Sequence, residues 1–169
     1  NGAREIVSLV SDLRDLDGLG SFEAAVCMYD SFNYLLEEED LDEALVQVYQ
    51  ILQPNGIFIF DVCTERNSLR YFSDMHDSEN GPGFSYERHS YYREQERLQH
   101  NHFQIRFAGD EHIYEERHVQ RIYRLSELEA RIHASPFQLL DVLAEFTFNS
   151  GSEEVDRIHY VLRAPGAQI

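Results

Sequence analysis

The pattern of apolar residues predicts two buried strands joined by a helix in the first third of the chain. Residues 24–28 and 57–60 are short continuous apolar runs, as in parallel strands that are covered on both faces. Asp40 is the predicted N-cap of the intervening helix, Glu43 completes a capping box, and a Pro-Asn-Gly turn at 54–56 leads into the second strand. The helix is predicted from apolar residues that recur at helical spacing: Leu41, Ala44, Leu45, Val48, Ile51 and Leu52.

Such a β-α-β unit places the carboxyl ends of both strands at one edge of a sheet. Before it, residues 6–10 are predicted to form a strand and residues 17–21 a glycine-bearing loop. After it, residues 64–83 are polar and are expected to form a loop or mobile segment.

Residues 84–123 change to an alternation of large apolar and charged side chains. This period predicts an antiparallel sheet with one solvent-exposed face, inserted into the α/β structure. Gly109-Asp110 is a candidate hairpin turn within this sheet. The predicted strands cover 85–93, 101–108 and 113–123.

The last part of the chain predicts a helix followed by a hairpin. Ser126 is the expected N-cap, with Glu129 at the capping-box position, and the helix should end near residue 133 or 134. Residues 137–148 and 157–162 are predicted to pair as antiparallel strands.

The charge balance limits the possible partners. The chain has 31 acidic and 14 basic residues, a formal net charge of −17, so nucleic acid and anionic membranes would be repelled. No apolar run approaches the roughly 20 residues that span a bilayer, and no signal peptide is recognisable. The only cysteines, Cys27 and Cys63, suit a reducing compartment, so we expect a cytoplasmic protein.

Polar side chains with useful chemistry follow the first predicted strand, at Asp30, Ser31, Asn33 and Tyr34. The carboxyl edge of an open α/β sheet is where such folds bind ligands. A carboxylate there can act as a general base, while hydroxyl and amide groups orient a small molecule. The alternative is a polar loop that only ends a strand.

The histidines could form a metal site, but a chance arrangement on a solvent-exposed face of the sheet is the favoured interpretation. His100 and His102 share one face of a predicted strand, with His89, His112 or His118 as further ligands. Because the acidic chain contains eight histidines, such pairs arise readily by chance, and no metal is predicted.

Several segments, in this order, resemble the class I S-adenosylmethionine-dependent methyltransferases, in particular the branch that acts on small molecules. The resemblance covers nearly the whole chain, and Glu23 stands where the family usually has aspartate. The segments are SDLRDL at 11–16, FE at 22–23, DSFNYL at 30–35, LQPNGIFIFDV at 52–62, ERHVQRIY at 116–123 and LSEL at 125–128.

The resemblance implies an α/β fold: a partial Rossmann-like methyltransferase sheet, from its third strand onward, with an inserted antiparallel sheet. It implies a core formed by residues 1–63 and 124–169, and an insert at 64–123. It implies S-adenosylmethionine as the cofactor and a small molecule as the substrate. The residues it assigns are Asp12 (which faces adenine in the family), Leu13, Met28 and Tyr29 to the cofactor, Asp30, Asn33 and Tyr34 to catalysis, and Ser31, His118 and Arg121 to the substrate.

The family's glycine-rich turn and the acid that ends its second strand have no counterpart in the 169 residues. These elements cradle the methionyl end of the cofactor and hold its ribose. We therefore expect the C-terminal portion of a methyltransferase, a piece or a natural truncation, that is inactive alone. The alternative is a non-catalytic module. Loss of two strands would bare the edge of the strand at 24–28 and favour a homodimer or higher homo-oligomer, unless residues 6–10 pair there instead.

Overall fold

The computed structural model describes residues 6–166 and folds them into two four-stranded sheets with three α-helices. Residues 1–5 and 167–169 of the predicted core lie outside this range. None of the three helices is long and apolar enough to cross a membrane. The elements are β1 (Phe22–Cys27), a 3-10 turn (Ser31–Tyr34), α1 (Glu38–Gln50), β2 (Leu52–Cys63), α2 (Glu65–Tyr71), β3 (Asp74–Gly81), β4 (Phe84–Arg93), β5 (Leu98–Phe107), β6 (Ile113–Arg121), α3 (Leu125–Ala134), β7 (Gln138–Ala144) and β8 (Arg157–Arg163).

The first sheet has the strand order β1-β2-β8-β7. β1 and β2 run parallel, with Val26 beside Ile59, and the other two pairs are antiparallel. The predicted β-α-β unit and the terminal hairpin are therefore confirmed. The predicted burial holds for β2 but not for β1, none of whose residues is buried, because β1 has a neighbouring strand on one side alone within residues 6–166. β7 is shorter than predicted, because the chain turns away after Ala144 and leaves Phe146 and Phe148 exposed.

The main core brings together apolar side chains of this sheet, α1 and α3. Its centre is a stack of aromatic rings: Phe60 lies 4.2 Å from Phe32 and 5.1 Å from Tyr160, measured between ring centroids. Full burial of such a side chain contributes about 1.5–3 kcal/mol. Because Phe32 comes from the 3-10 turn, this packing also anchors the loop after β1 on the sheet.

The second sheet has the order β3-β4-β5-β6, and every neighbouring pair is antiparallel. The predicted inserted sheet is confirmed, with one strand more than expected. A small core of Cys63, Tyr92 and Ile122 joins it to the first sheet. Glu65 strengthens this joint, since its carboxylate accepts hydrogen bonds from the Tyr92 hydroxyl and from Arg97, each over 2.7 Å.

The predicted strand at residues 6–10 is wrong. These residues are not in a strand, and Ile6 and Val10 are 89% and 106% exposed. A strand requires a neighbour that satisfies its backbone N–H and C=O groups. Within residues 6–166, β1 pairs with β2 alone, so the alternative pairing with residues 6–10 is not found either.

The predicted loop at 64–83 is also wrong, because this segment forms α2 and β3. Thr64 caps α2: its hydroxyl oxygen accepts the N–H of Asn67 over 3.4 Å. β3 pairs with β4 along its whole length. β3 is an edge strand, and most of its residues are exposed on both faces. Its sequence therefore lacks the apolar alternation from which a strand could be predicted.

Both predicted helix caps are misplaced. α1 starts at Glu38, before Asp40, since acidic residues also stabilise the first turn of a helix. α3 starts at Leu125, before Ser126, and Glu127 accepts the N–H of Arg124 over 2.9 Å. The Pro-Asn-Gly segment lies within β2, where the register with β1 shifts, rather than before it.

Candidate functional site

The loop after β1 holds two consecutive non-glycine residues in the left-handed backbone region. Tyr29 has φ 61° and Asp30 has φ 60°. Such conformations cost on the order of 1–3 kcal/mol each and persist only where the surroundings enforce them. Here the N–H of Asp30 donates to Asp61 Oδ1 over 3.0 Å. Enforced strain of this kind clusters at functional sites, which makes this loop the candidate.

A buried group of charges supports the loop from beneath. Asp61 is 1% exposed and pairs with Arg157, whose Nη1 also lies 2.7 Å from Asp30 Oδ1. His159 is the cross-strand neighbour of Asp61, with Nε2 4.0 Å from Oδ2. Burial raises the pKa of Asp30, and the nearby Arg157 guanidinium opposes this shift. The Asp30 carboxyl is thus held in place, with its pKa above the ordinary value.

Asn33 joins the loop to both sheets and is 0% exposed. Its Oδ1 accepts the N–H of Cys63 over 3.0 Å, and its Nδ2 donates to the carbonyl of Arg121 over 2.8 Å. Both ends of the amide are therefore used within the fold. The catalytic role predicted for Asn33 stays a prediction, and these contacts favour positioning of the loop over contact with a ligand.

A cavity of about 320 Å³ opens between the loop and the second sheet, and we call it the loop–insert cavity. Its volume lies at the small end of the range for small-molecule sites. On one wall the Tyr34 hydroxyl lies 3.3 Å from His118 Nδ1, and His118 Nε2 lies 3.1 Å from Glu116. Burial raises the pKa of Tyr34, so the phenol stays protonated. The lining residues are Tyr29, Asp30, Tyr34, Phe72, Arg88, Gln99, Asn101, Phe103, Glu116, His118 and Gln120.

A smaller depression of about 230 Å³ is lined by two of the residues assigned to the cofactor, Asp12 and Leu13. Asp12 accepts hydrogen bonds from Arg14 Nε over 2.9 Å and Nη2 over 2.8 Å, and these bonds lower its pKa to about 2. Tyr34 lines both this depression and the loop–insert cavity. It therefore stands at the boundary between the two.

The other assigned residues are divided between the loop–insert cavity and contacts within the fold, and Ser31 also lines the depression that holds Asp12. Tyr29, Asp30, Tyr34 and His118 meet at the cavity. Ser31 donates its hydroxyl to the carbonyl of Met28 over 2.8 Å, which closes the turn after β1. Arg121 Nη1 donates to the carbonyl of Leu36 over 2.9 Å, and its Nη2 lies 3.5 Å from Glu38. The structure thus brings only His118 of the three predicted substrate residues to the cavity.

Sequence reasoning missed the polar floor of the cavity and the charges beneath the loop. Asp61 had a usable signal, because a carboxylate inside an apolar strand must be paired. The floor residues alternate along β4, β5 and β6, and only the pairing of the strands brings them together: Arg88, Gln99, Asn101, Phe103 and Gln120.

The histidines that suggested a metal pair lie on the opposite face of the second sheet. His100 and His102 alternate with the floor residues along β5. One group within residues 6–166 has ligand atoms within 4.8 Å of one another, formed by Asp74, His76 and His89. It lies on that same outer face, away from the cavity.

The fold and site together define a class of protein. A parallel strand pair carries a strained polar loop at its carboxyl edge, an antiparallel hairpin completes the sheet, and an inserted sheet closes a small cavity over the loop. This is a Rossmann-like α/β fold of the methyltransferase type.

Comparison with known proteins leads to the same class. Putative methyltransferase YqeM of Bacillus subtilis (strain 168) is 30% identical over 164 residues, covering 95% of this chain and 66% of that protein. Putative methyltransferase GWCH70_2453 of Geobacillus sp. (strain WCH70) is 26% identical over 155 residues, covering 90% and 63%. A crystal structure of an S-adenosylmethionine-dependent methyltransferase from Clostridium acetobutylicum ATCC 824 matches with a TM-score of 0.79 and 19% identity, covering 94% and 64%. No protein-family profile matches the chain.

Over nearly its whole length the chain is similar in sequence to proteins named as methyltransferases, and its fold is that of a class I S-adenosylmethionine-dependent methyltransferase. It spans slightly less than two thirds of the length of the curated relatives that it matches.

The residues present fit one side of the family's cofactor. Asp12 offers an acceptor for an exocyclic amine, Leu13 a half-buried apolar contact, and Met28 and Tyr29 lie at the end of β1. The methionyl carboxylate and the ribose require the glycine-rich turn and its companion acid, which are not in the sequence. When bound, the cofactor supplies the electrophilic methyl group.

Proposed function

We propose that this polypeptide is the acceptor-binding and methyl-transfer part of a methyltransferase that acts on a small molecule. The observation that carries the proposal is the position of Tyr34, which lines both the depression that holds Asp12 and Leu13 and the loop–insert cavity. A cofactor bound in the depression and a methyl acceptor bound in the loop–insert cavity would meet at the Tyr34 side chain. Because methyl transfer depends chiefly on alignment, a fixed boundary residue suits the chemistry.

In this proposal each side chain of the cavity has one task. Asp30, held by Arg157 and with its pKa raised by burial, accepts the proton of the acceptor. Tyr34 and His118, which contact each other at the cavity, orient the acceptor. The division into a core (1–63 and 124–169) and an insert (64–123), and a cytoplasmic location, remain part of the proposal.

We further propose that the 169-residue chain does not methylate by itself, because its sequence lacks the glycine-rich turn. Isothermal titration of the chain with S-adenosylmethionine and S-adenosylhomocysteine tests this. Micromolar binding of both would mean that the residues present suffice for the cofactor and would refute the inactivity. Weak, millimolar binding that Asp12→Ala reduces and Asp17→Ala does not would support a half-formed cofactor site.

A second candidate function, a non-catalytic assembly module, is favoured by the edge of β1. Within residues 6–166, β1 has a partner on one side alone, and Val26 is 64% exposed on it. An unpaired strand edge is a template for pairing with another chain. This alternative predicts a homodimer or higher oligomer and no cofactor binding at millimolar concentration.

A further inference from the structure

Arg88 lines the loop–insert cavity without a carboxylate partner. Within residues 6–166, no carboxylate oxygen lies within 4.0 Å of its guanidinium nitrogens. Asp77, its cross-strand neighbour on β3, instead accepts the Tyr86 hydroxyl over 3.0 Å. A half-buried cation without a contacting carboxylate is costly: burial lowers the pKa of Arg88, and the nearby Asp77 opposes this shift only in part. An anion supplied from outside would remove this cost.

The guanidinium is held rigidly in the orientation that an anion needs. Nε donates to Ser90 Oγ over 2.8 Å, and Nη2 donates to Asn101 Oδ1 over 2.6 Å. The rings of Phe72 and Phe103 each lie 5.1 Å from Cζ. These contacts fix the plane of the guanidinium and leave further N–H donors free. A preorganised donor group loses little entropy on binding.

The floor around Arg88 is polar and uncharged. Ser90 donates its hydroxyl to Asn101 Oδ1 over 2.7 Å, and Gln99 Nε2 donates to Gln120 Oε1 over 3.2 Å. Ser68 in turn donates to Gln99 Oε1 over 2.8 Å. These uncharged groups satisfy one another's hydrogen-bonding capacity. They hold the Arg88 side chain in its orientation and leave its positive charge unneutralised.

The remaining charges of the cavity decide which anion fits. Asp30 and Glu116 also line it and would repel a phosphate dianion. Arg88 is the only arginine in the lining, and the chain contains no lysine. A planar monoanion matched to one guanidinium fork, which is a carboxylate, is the better ligand. The cavity of about 320 Å³ restricts it to a small molecule.

We propose that Arg88 binds a carboxylate of the methyl acceptor through paired hydrogen bonds, so that the acceptors are small carboxylic acids. This rests on the function proposed above and names its substrate class. Arg88 is a specificity-determining residue here, while Asp30 and Tyr34 act at the reacting group.

The test is an NMR titration of the folded chain with benzoate and with benzamide, which have the same size and differ in charge. The readouts are the dissociation constant and the shift of the Arg88 Nε–H signal. We expect saturable benzoate binding, at least about tenfold weaker binding of benzamide, and a similar loss of benzoate binding in Arg88→Gln. Arg88→Lys, which keeps the charge and loses the fork, should be intermediate. Arg106→Gln, on the opposite face of β5, should bind like the parent.

Equal binding of the two probes, unchanged benzoate binding in Arg88→Gln, or tighter binding of inorganic phosphate than of benzoate would overturn the carboxylate assignment. Absence of benzoate binding at tens of millimolar, roughly the weakest affinity expected of a preformed pocket, would do so as well. The titration needs no cofactor, so its result is separate from that of the S-adenosylmethionine titration. If benzoate binds but S-adenosylmethionine does not bind even at millimolar concentration, the anion site remains supported and the methyl-transfer function is refuted.

Discussion

The backbone N–H of Asp30 donates a hydrogen bond to the Asp61 carboxylate over 3.0 Å, from the loop after β1 to the neighbouring strand β2. Asp61 also pairs with Arg157, which in turn holds the Asp30 side chain. One buried carboxylate therefore fixes both the backbone and the side chain of the residue at the cavity. This explains how a strained, non-glycine backbone is maintained there.

Substitution of Asp61 by asparagine should destabilise the chain by about 3 kcal/mol. The change keeps the shape but removes one charge of a buried pair, and Arg157 retains Asp30 alone. Urea denaturation measures the difference. Asp17→Asn, an exposed acid in a turn, is the matched control and should lie within about 0.5 kcal/mol of the parent. An Asp61→Asn variant as stable as this control would mean that the pair does not hold the loop.

Replacement of Asn33 by alanine should cost about 3 kcal/mol, since it leaves the N–H of Cys63 and the carbonyl of Arg121 without partners in the interior. Hydrogen exchange should accelerate at the Cys63 amide in particular. Asn80→Ala, at an exposed position of β3, should change neither quantity. Fast exchange at Cys63 in the parent protein would contradict this role.

The pKa of Asp12 should be about 2 in the folded chain, below its ordinary value of 3.8, because Arg14 donates hydrogen bonds to the carboxylate. The folded pKa is depressed, so the contribution to stability is present above pH 3.8 and is lost as pH falls towards 2. The pair is half exposed, so this contribution is small and decreases with salt.

Carbon-13 NMR of the side-chain carboxyls measures this pKa directly. Arg14→Gln should return the Asp12 value part of the way towards 3.8, because the backbone N–H of residue 14 still donates to Oδ1. An Asp12 pKa as low in Arg14→Gln as in the parent would show that the Arg14 side chain is not responsible.

Introduction of a charge at Val26 should weaken self-association, if the edge of β1 pairs with a second copy. Val26→Asp places a carboxylate on the exposed edge strand, where charges oppose pairing. Light scattering at micromolar concentration should then give a dimer or larger assembly for the parent and a monomer for the variant. Val46→Asp, at a 39% exposed position on α1, controls for the added charge. A monomeric parent would remove the support for the assembly module.

The parts of the fold that were predictable are those specified by local periodicity. The apolar runs in β1 and β2 and the alternation from β4 to β6 identified both sheets, because burial imposes a period that each segment carries by itself. Residues 6–10 are equally apolar but have no neighbouring strand within residues 6–166, so they do not form a strand. β3 is polar but pairs with β4, so it forms a strand that its own sequence does not predict. Strand formation in these cases depends on the partner, which a single segment does not encode.

The site was predictable to a similar extent. Asp30 and Tyr34 follow directly from the end of a strand, and His118 from the resemblance. Arg88 lies in a segment that resembles an ordinary amphipathic strand, and it reaches the cavity only because three paired strands align their alternate residues on one face. Arg157 is distant in sequence from Asp61, so its role emerged only from the pairing of β2 with β8.

Cys63, in the small core between the two sheets, makes their separation measurable by chemical kinetics. Its side chain is 1% exposed and burial raises the pKa of the thiol, so a disulfide reagent cannot attack it in the closed protein. Labelling of Cys63 therefore requires an opening that exposes this small core, and it should be slower than labelling of the half-buried thiol of Cys27. The labelling rate of a native side chain thus measures the opening of this small core without an engineered probe.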